Sequence, residues 1–243
     1  MANLNERQTK ILKAIIEEFV ETAEPVGSET LERKYNLGIS PATIRNEMVR
    51  LTEEGFLKKA HSSAGRSPTP MALKYYVNNL MKSENLSVAE EVAVKEKVWD
   101  YRNQFEKLLK ESTKELARRT KLLSLATTDE GDLFSSGMGN ILEAPEFYDI
   151  DLTKTILSYL DRFDFWQDLI QRSFGSEDPI HILLGDELGM DLFEPCGFIY
   201  TDYKAGPRSG AIGVVGPARV RYSRVIPIVR YFGQLIGEIG KNW

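Results

Sequence analysis

The stretch SPATIRNEM, residues Ser40 to Met48, predicts the start of a helix that exposes small, basic and amide side chains. Ser40 offers an N-cap hydroxyl, and Pro41 suits the first helical position because an amide there would have no partner. With about 3.6 residues per turn, one side of this helix is apolar and faces the core. That side carries Ile44, Met48 and Leu51.

The elements around this stretch predict a small helical unit with a hairpin, in the order of a winged helix-turn-helix. Helices are expected from Leu4 to Ala23, from Ser28 to Tyr35, from Pro41 to Glu54 and from Met71 to Met81. A short strand at Phe56–Lys59, a polar loop AHSSAGR and a return SPTP form the hairpin. The unit fits within residues 1–82, and KSENLS, residues 82–87, marks its boundary.

The outward side of the third helix has the chemistry of a DNA recognition helix. Arginine pairs with guanine, asparagine with adenine, and the methyl groups of alanine or threonine contact thymine. The hairpin loop is basic and contains no acidic residue, which suits contact with backbone phosphates. The candidate DNA-binding residues are Ala42, Thr43, Arg45, Asn46 and Arg50 in the helix, and Lys58, Lys59, His61, Ser62, Ser63 and Arg66 in the hairpin.

The charge of the chain is distributed unevenly, so its net charge does not exclude a nucleic-acid partner. The net charge of the 243 residues is −5, which by itself argues against DNA. Residues 1–82 nevertheless hold 12 Lys and Arg against 10 Asp and Glu, whereas residues 83–243 hold 19 against 26. The local field decides what binds to a surface, so this charge distribution is compatible with a DNA-binding head on an acidic body.

The remainder of the chain predicts a long connecting helix followed by an α+β domain. Ser87 and Glu90 form a capping box that opens the helix, and a heptad-like apolar stripe runs from Val94 to Ser112. We expect residues 83–126 to be a linker with this long helix and a possible dimer surface. Residues 127–243 then form the second domain, with a loop at 127–140, a helix at 152–174, strands at 180–184, 197–203 and 210–215, and a last helix at 222–239.

Several classes of protein are disfavoured by composition and motifs. A single cysteine, Cys196, excludes an intramolecular disulfide framework, and two histidines without ligand-like spacing make a metal site unexpected. No apolar run has the length of a membrane helix, and no cofactor motif is complete. The glycines of GPRSGAIGVVGP are interpreted as turn and sheet-bend glycines. Catalytic motifs are also missing, so the chain is not expected to be an enzyme.

Five separate motifs, in order, resemble one protein family. SPATIRNEM with SSAGRSPT (62–69) and YYV (75–77) resembles the head of the HrcA family of heat-inducible transcription repressors. LEAPEF (142–147) and GAIGVVGPARVRYSRVIPIV (210–229) are similar to its carboxy-terminal region. The resemblance covers residues 4–82 and about 132–237. It implies that Ser40, Thr43, Arg45, Asn46 and Arg50 read or orient on DNA and that residues 61–66 form the wing.

The resemblance further implies a cytoplasmic bacterial repressor of chaperone genes that binds an inverted-repeat operator as a homodimer. In that family the GroEL chaperonin keeps the repressor competent, and the body is a GAF-like domain with an inserted dimerising segment. This chain has a much shorter section before LEAPEF, so a reduced GAF-like domain is expected. Two alternatives remain open: a ligand-responsive winged-helix regulator, and a winged-helix module that holds protein or RNA.

Overall fold

The computed structural model describes residues 4–59, 65–172 and 178–241. They divide into two compact units, Met1–Lys82 and Ser83–Trp243. Helices and antiparallel sheets occur together, which confirms the α+β prediction. In the described part of the chain, no helix is both long enough and apolar enough to cross a bilayer.

The first unit has three helices, a two-stranded hairpin and a closing helix. The helices are α1 (Glu6–Thr22), α2 (Ser28–Tyr35), α3 (Pro41–Glu53) and α4 (Pro70–Asn79). Strands β1 (Leu57–Lys59) and β2 (Arg66–Pro68) pair antiparallel between α3 and α4. The element order agrees with the sequence-based prediction. The apolar core of the unit includes Ile11, Ile15, Leu31, Ile44, Leu51 and Phe56.

Helix α3 begins where its sequence predicts, for local reasons. The Ser40 hydroxyl accepts a hydrogen bond from the Thr43 amide at 3.3 Å, and Pro41 occupies the first turn. Gly38 turns the preceding chain with a φ of +68°, a conformation that disfavours residues with a side chain. The predicted inner side is confirmed, because Ile44, Met48 and Leu51 are all buried.

The second unit is built on a five-stranded antiparallel sheet with the order β4-β3-β7-β6-β5. The strands are β3 (Leu123–Thr128), β4 (Leu133–Ser136), β5 (Ile180–Leu184), β6 (Cys196–Ala205) and β7 (Arg208–Pro217). Strands β5, β6 and β7 agree with the three predicted runs. Of the glycines in GPRSGAIGVVGP, Gly206 lies in the turn between β6 and β7, as interpreted. The glycines at 210, 213 and 216 lie inside β7.

Helices cover both faces of this sheet. Helix α9 (Tyr222–Gly240) packs on β6, where Gly233 faces Thr201 and Gly240 faces Ala205. A Cβ atom at either glycine would overlap these neighbours, so the small residues permit close contact between helix and sheet. On the opposite face, α7 (Ile150–Tyr159) and α8 (Phe163–Gln171) pack over a core that includes Leu125, Trp166, Phe198, Tyr200 and Val215.

The predicted long connecting helix is wrong. It is two helices, α5 (Val88–Trp99) and α6 (Phe105–Thr120), which contact each other. Between them the chain makes tight turns, in which the amides of Tyr101 and Gln104 bond to carbonyls three residues back. The capping box of Ser87 and Glu90 is confirmed.

The apolar stripe of this segment packs against other residues of the same chain. Val94, Val98, Leu108 and Ser112 are fully buried in the second unit. Residues 83–126, expected to be a linker with a possible dimer surface, instead form part of the second unit. The physical reason is that α6 packs on β3, β4 and α9, and α5 packs on α6 and α9, so the stripe is covered within its own unit.

Two further segments differ from prediction. The expected loop at 127–140 contains the end of β3, all of β4 and the start of a 3-10 helix (Met138–Glu143). Strand β4 is short and half-buried, which gives it no strong alternation of apolar residues. The expected helix at 152–174 ends at Tyr159 and resumes at Phe163, because Leu160–Arg162 form a turn.

Two of the motifs that carried the resemblance meet in the second unit. Glu146 of LEAPEF lies in a 3-10 helix (Pro145–Tyr148) and Arg219 follows β7. Both Arg219 Nε and Nη2 donate to the Glu146 carboxylate, with the second distance 3.1 Å. Both side chains are largely buried. A bidentate pair of this kind fixes the orientation of the two segments.

Glu90 predicts a pH-dependent contribution to stability. Hydrogen bonds from the Ser87 amide, from Arg224 and from the Ser87 hydroxyl lower the pKa of Glu90 to about 2. Because the pKa of Glu90 is lower in the folded protein than its unfolded value of 4.5, the ionised carboxylate stabilises the fold above pH 4.5. This contribution is lost as the pH falls from 4.5 towards 2. We expect Glu90→Gln to be less stable than wild type at pH 7 and equally stable near pH 2. Urea unfolding across this range checks the convergence, and a constant difference would contradict it.

Candidate nucleic-acid interface

The outward side of α3 is exposed, as its helical period predicts. Ala42, Arg45, Asn46, Val49 and Arg50 are all accessible to solvent. Among the described residues, no side-chain hydrogen bond or ion pair engages Arg45 or Asn46. These two groups are therefore available to an external partner. Arginine and asparagine make the bidentate contacts to guanine and adenine that carry base specificity in the major groove.

The first turn of α3 adds hydrogen-bonding groups to this side. Ser40 is exposed, and its hydroxyl lies 3.0 Å from the Thr43 hydroxyl. Both hydroxyls stand at a helix N-terminus, where the orphan amides and the helix dipole favour a negative group. A phosphate is the natural ligand of such a terminus.

The hairpin carries exposed lysines on β1 and an arginine with a structural role on β2. Lys58 and Lys59 are exposed. Arg66 is half-buried, and its Nε donates to the Thr52 hydroxyl of α3 at 3.2 Å. The Arg66 backbone also pairs with Val26 in both directions. Arg66 therefore braces the hairpin against α3. His61, Ser62 and Ser63 lie outside the described residues.

Arg50 belongs to a cluster that sequence reasoning missed. Glu47 is buried although it lies in α3, and its Oε1 is 3.5 Å from Arg50 Nη1. The same oxygen is 3.6 Å from Arg7 Nη1 of α1. No local pattern could reveal Arg7, because it comes 40 residues before Glu47 in the chain. The one sequence signal was an acidic residue, Glu47, between the apolar inner residues Ile44 and Leu51 of the helix.

Arg66→Ala is expected to weaken binding to all DNA sequences by a similar factor. We expect the variant to lose one contact with the DNA phosphates, so the slope of log affinity against log salt should fall by about one. It also loses the hydrogen bond to Thr52, which should lower the free energy of unfolding by about 1 kcal/mol. Fluorescence anisotropy with operator and scrambled DNA checks this. Arg66→Lys keeps the charge and should keep the slope; a loss confined to one base position would contradict the phosphate role.

One apolar cavity of the second unit is too small for a metabolite. It measures about 10 Å³ and is lined by apolar side chains with the Cys196 thiol. Burial, with smaller effects of Glu146 and Glu194, raises the pKa of Cys196 to about 12, so the thiol stays protonated. Within residues 4–59, 65–172 and 178–241, no group of three or more His, Cys, Asp or Glu side chains could hold a metal ion.

Comparison with protein families places most of the chain in one of them. A family model described as the HrcA protein C terminal domain matches residues 48–226. The heat-inducible transcription repressor HrcA of Pelotomaculum thermopropionicum is 28% identical over 337 residues, covering 97% of each chain. The repressor of the same name from Clostridium tetani is 28% identical over 341 residues, covering 98% of this chain and 95% of the other.

These alignments also show a difference in length. The alignment with the Pelotomaculum protein extends over 337 positions, whereas this chain has 243 residues, so at least 94 positions face gaps here. The place of the shortening, inferred to lie before LEAPEF, stays a prediction. Among solved structures, one described as a hypothetical protein at 2.2 Å resolution matches with a TM-score of 0.78. It is 18% identical, covers 99% of both chains and shows that the fold is shared.

Proposed function

Because the chain belongs to the HrcA family, we propose that it is a heat-inducible transcription repressor that binds an inverted-repeat operator. The observation that carries this proposal is the exposed side of α3, with Arg45 and Asn46 unengaged by the described residues. A helix of this kind enters the major groove through its N-terminal turns. Arg45 and Asn46 read base edges, Ala42 and Thr43 contact thymine methyls, and Ser40 orients the helix on a phosphate.

The first unit acts as a winged helix-turn-helix over residues 1–82. The hairpin is its wing, in which Lys58, Lys59 and Arg66 contact backbone phosphates, together with His61, Ser62 and Ser63. Phosphate contacts of this type supply most of the affinity and carry no sequence information directly. The brace between Arg66 and Thr52 supports this role because it fixes the hairpin beside the recognition helix.

The second unit serves as a reduced GAF-like body that pairs two heads as a homodimer. An inverted repeat presents two equivalent half-sites, which match the two-fold symmetry of a dimer. Because the stripe from Val94 to Ser112 is buried, the dimer forms through another surface of the body. The protein works in the bacterial cytoplasm, on the nucleoid when bound, and the GroEL chaperonin keeps it competent to repress.

A mobility shift titrated against salt tests the proposal. The DNA is an inverted-repeat operator from upstream of a chaperone gene, and the control is the same fragment with one half-site scrambled. Specific protein–DNA complexes exceed non-specific ones by roughly 10³- to 10⁷-fold, so a clear preference for the intact operator is expected. Equal affinity for both fragments would contradict the proposal and favour a winged-helix module that binds protein or RNA.

A further inference from the structure

A groove in the first unit brings basic side chains from α1 beside α3. It has a volume of about 540 Å³ and lies between the first turns of α1, the α2–α3 turn and one side of α3. Leu37 and Ile39 form part of its wall, and the charged residues around it are Glu6, Arg7, Lys10, Glu47 and Arg50. Three cations against two carboxylates leave the groove with a net charge of +1.

One buried carboxylate holds two arginines at this groove. The Glu47 side chain is 6% exposed, whereas those of Arg7 and Arg50 are 56% and 63% exposed. The Glu47 Oε1 atom is within 3.6 Å of Arg7 Nη1 and within 3.5 Å of Arg50 Nη1. Each guanidinium has further N–H donors, because one weak ion pair uses at most one or two of its five. Two guanidinium groups from different helices are thus held at one place on the surface.

The position of the groove relative to α3 indicates what it contacts. Thr43, Glu47 and Arg50 recur at intervals of four and three residues and so follow one flank of the helix. Arg45, Val49 and Thr52 recur in the same way and follow the other flank. Because Arg66 bonds to Thr52, the hairpin lies at this second flank. The groove and the hairpin therefore lie on opposite flanks of α3.

We propose that this groove binds a backbone phosphate of the DNA strand opposite the strand that the hairpin contacts. The inference rests on the proposed function, and it adds Arg7 to the interface. A major groove is about 12 Å wide and an α-helix is about 10–12 Å across, so a helix seated in it has one phosphate backbone at each flank. Arg7 and Arg50 bind the phosphate, and Glu47 is a positioning residue for both.

The chemistry of the groove suits a phosphate more than a base edge. Guanidinium groups present planar pairs of N–H donors that match phosphate oxygens. Lys10 adds a third cation, although Glu6 at 2.6 Å partly neutralises it. The ion pairs of Glu47 with Arg7 and Arg50 offset its charge, which limits its repulsion of an incoming anion and keeps the two arginines together when DNA is absent.

The test uses the full chain, Arg7→Ala and a matched control on the same helix. Lys13→Ala removes a cation that, like Lys10, is ion-paired within α1, but Lys13 does not line the groove. Binding to operator and scrambled DNA is measured at several salt concentrations. Arg7→Ala should weaken both by about three- to tenfold and lower the log–log salt slope by about one, because one phosphate contact is lost. Lys13→Ala should match wild type, and Arg7→Lys should keep most of the slope. Thermal unfolding by circular dichroism confirms that each variant is folded.

Phosphate ethylation interference then identifies the strand. Arg7→Ala and Arg66→Ala should lose interference on opposite strands of one half-site. Two results overturn the inference and leave the proposed function standing. In the first, Arg7→Ala has the affinity and salt slope of wild type. In the second, Arg7→Ala and Arg66→Ala lose interference on the same strand. A wild-type protein that does not prefer the operator overturns both.

Discussion

Replacing Arg45 and Asn46 together with alanine is expected to remove the operator preference of the protein while its fold stays intact. Each bidentate contact to a base contributes about 1–3 kcal/mol of discrimination, so the pair should cost roughly 2–6 kcal/mol for each half-site. Both residues are exposed, and alanine has a higher helix propensity than either. The loss should therefore come from recognition and not from unfolding.

The measurement compares affinities for the intact and scrambled operators at one salt concentration. Wild type should prefer the intact operator strongly, whereas the double variant should bind both fragments at the non-specific level. A matched control replaces Arg33 and Asn78, the same residue types exposed on α2 and α4. It should keep the preference. If the double variant at α3 still discriminates between the fragments, α3 is not the element that reads bases.

Among the substitutions proposed for this protein, Trp166→Ala is expected to lower the free energy of unfolding the most. The Trp166 ring is 3% exposed and lies against Phe198, with ring centroids 5.3 Å apart and planes at 71°. Its indole N–H also donates to the Tyr159 carbonyl at 2.8 Å, which joins α8 to the end of α7. Removing a buried tryptophan side chain leaves a cavity and costs about 3–5 kcal/mol.

Urea unfolding followed by circular dichroism measures this loss. A thermal scan provides a second measure. In a chain of this size, each kcal/mol lost lowers the midpoint of thermal unfolding by about 2–4 °C, so the midpoint of the second unit should fall by roughly 6–20 °C. Trp166→Phe is the control: it keeps most of the apolar contact and loses the hydrogen bond, so its cost should be smaller, with about 1 kcal/mol from that bond. An alanine variant as stable as the phenylalanine variant would contradict the packing role assigned to this ring.

The first unit was predictable to a large extent because its signals are local. Ser40, Pro41 and Gly38 act on their own backbone, and the 3.6-residue period alone assigns Ile44 inward and Asn46 outward. The second unit was less predictable. Strand β3 was missed because Leu123–Thr128 is buried on both faces and shows no alternation. The connecting segment was misjudged because a heptad-like spacing fits one long helix as well as two short ones that pack together.

For this protein, local sequence alone determined where α3 starts and which of its residues face solvent, since a cap and a helical period depend only on neighbours in the chain. Tertiary structure decided the rest. It placed Arg7 beside Arg50 on a shared carboxylate, set Arg66 against Thr52, and buried the stripe from Val94 to Ser112 within the second unit. These contacts join residues far apart in the chain, so they form only when the fold brings complementary charges and apolar faces together.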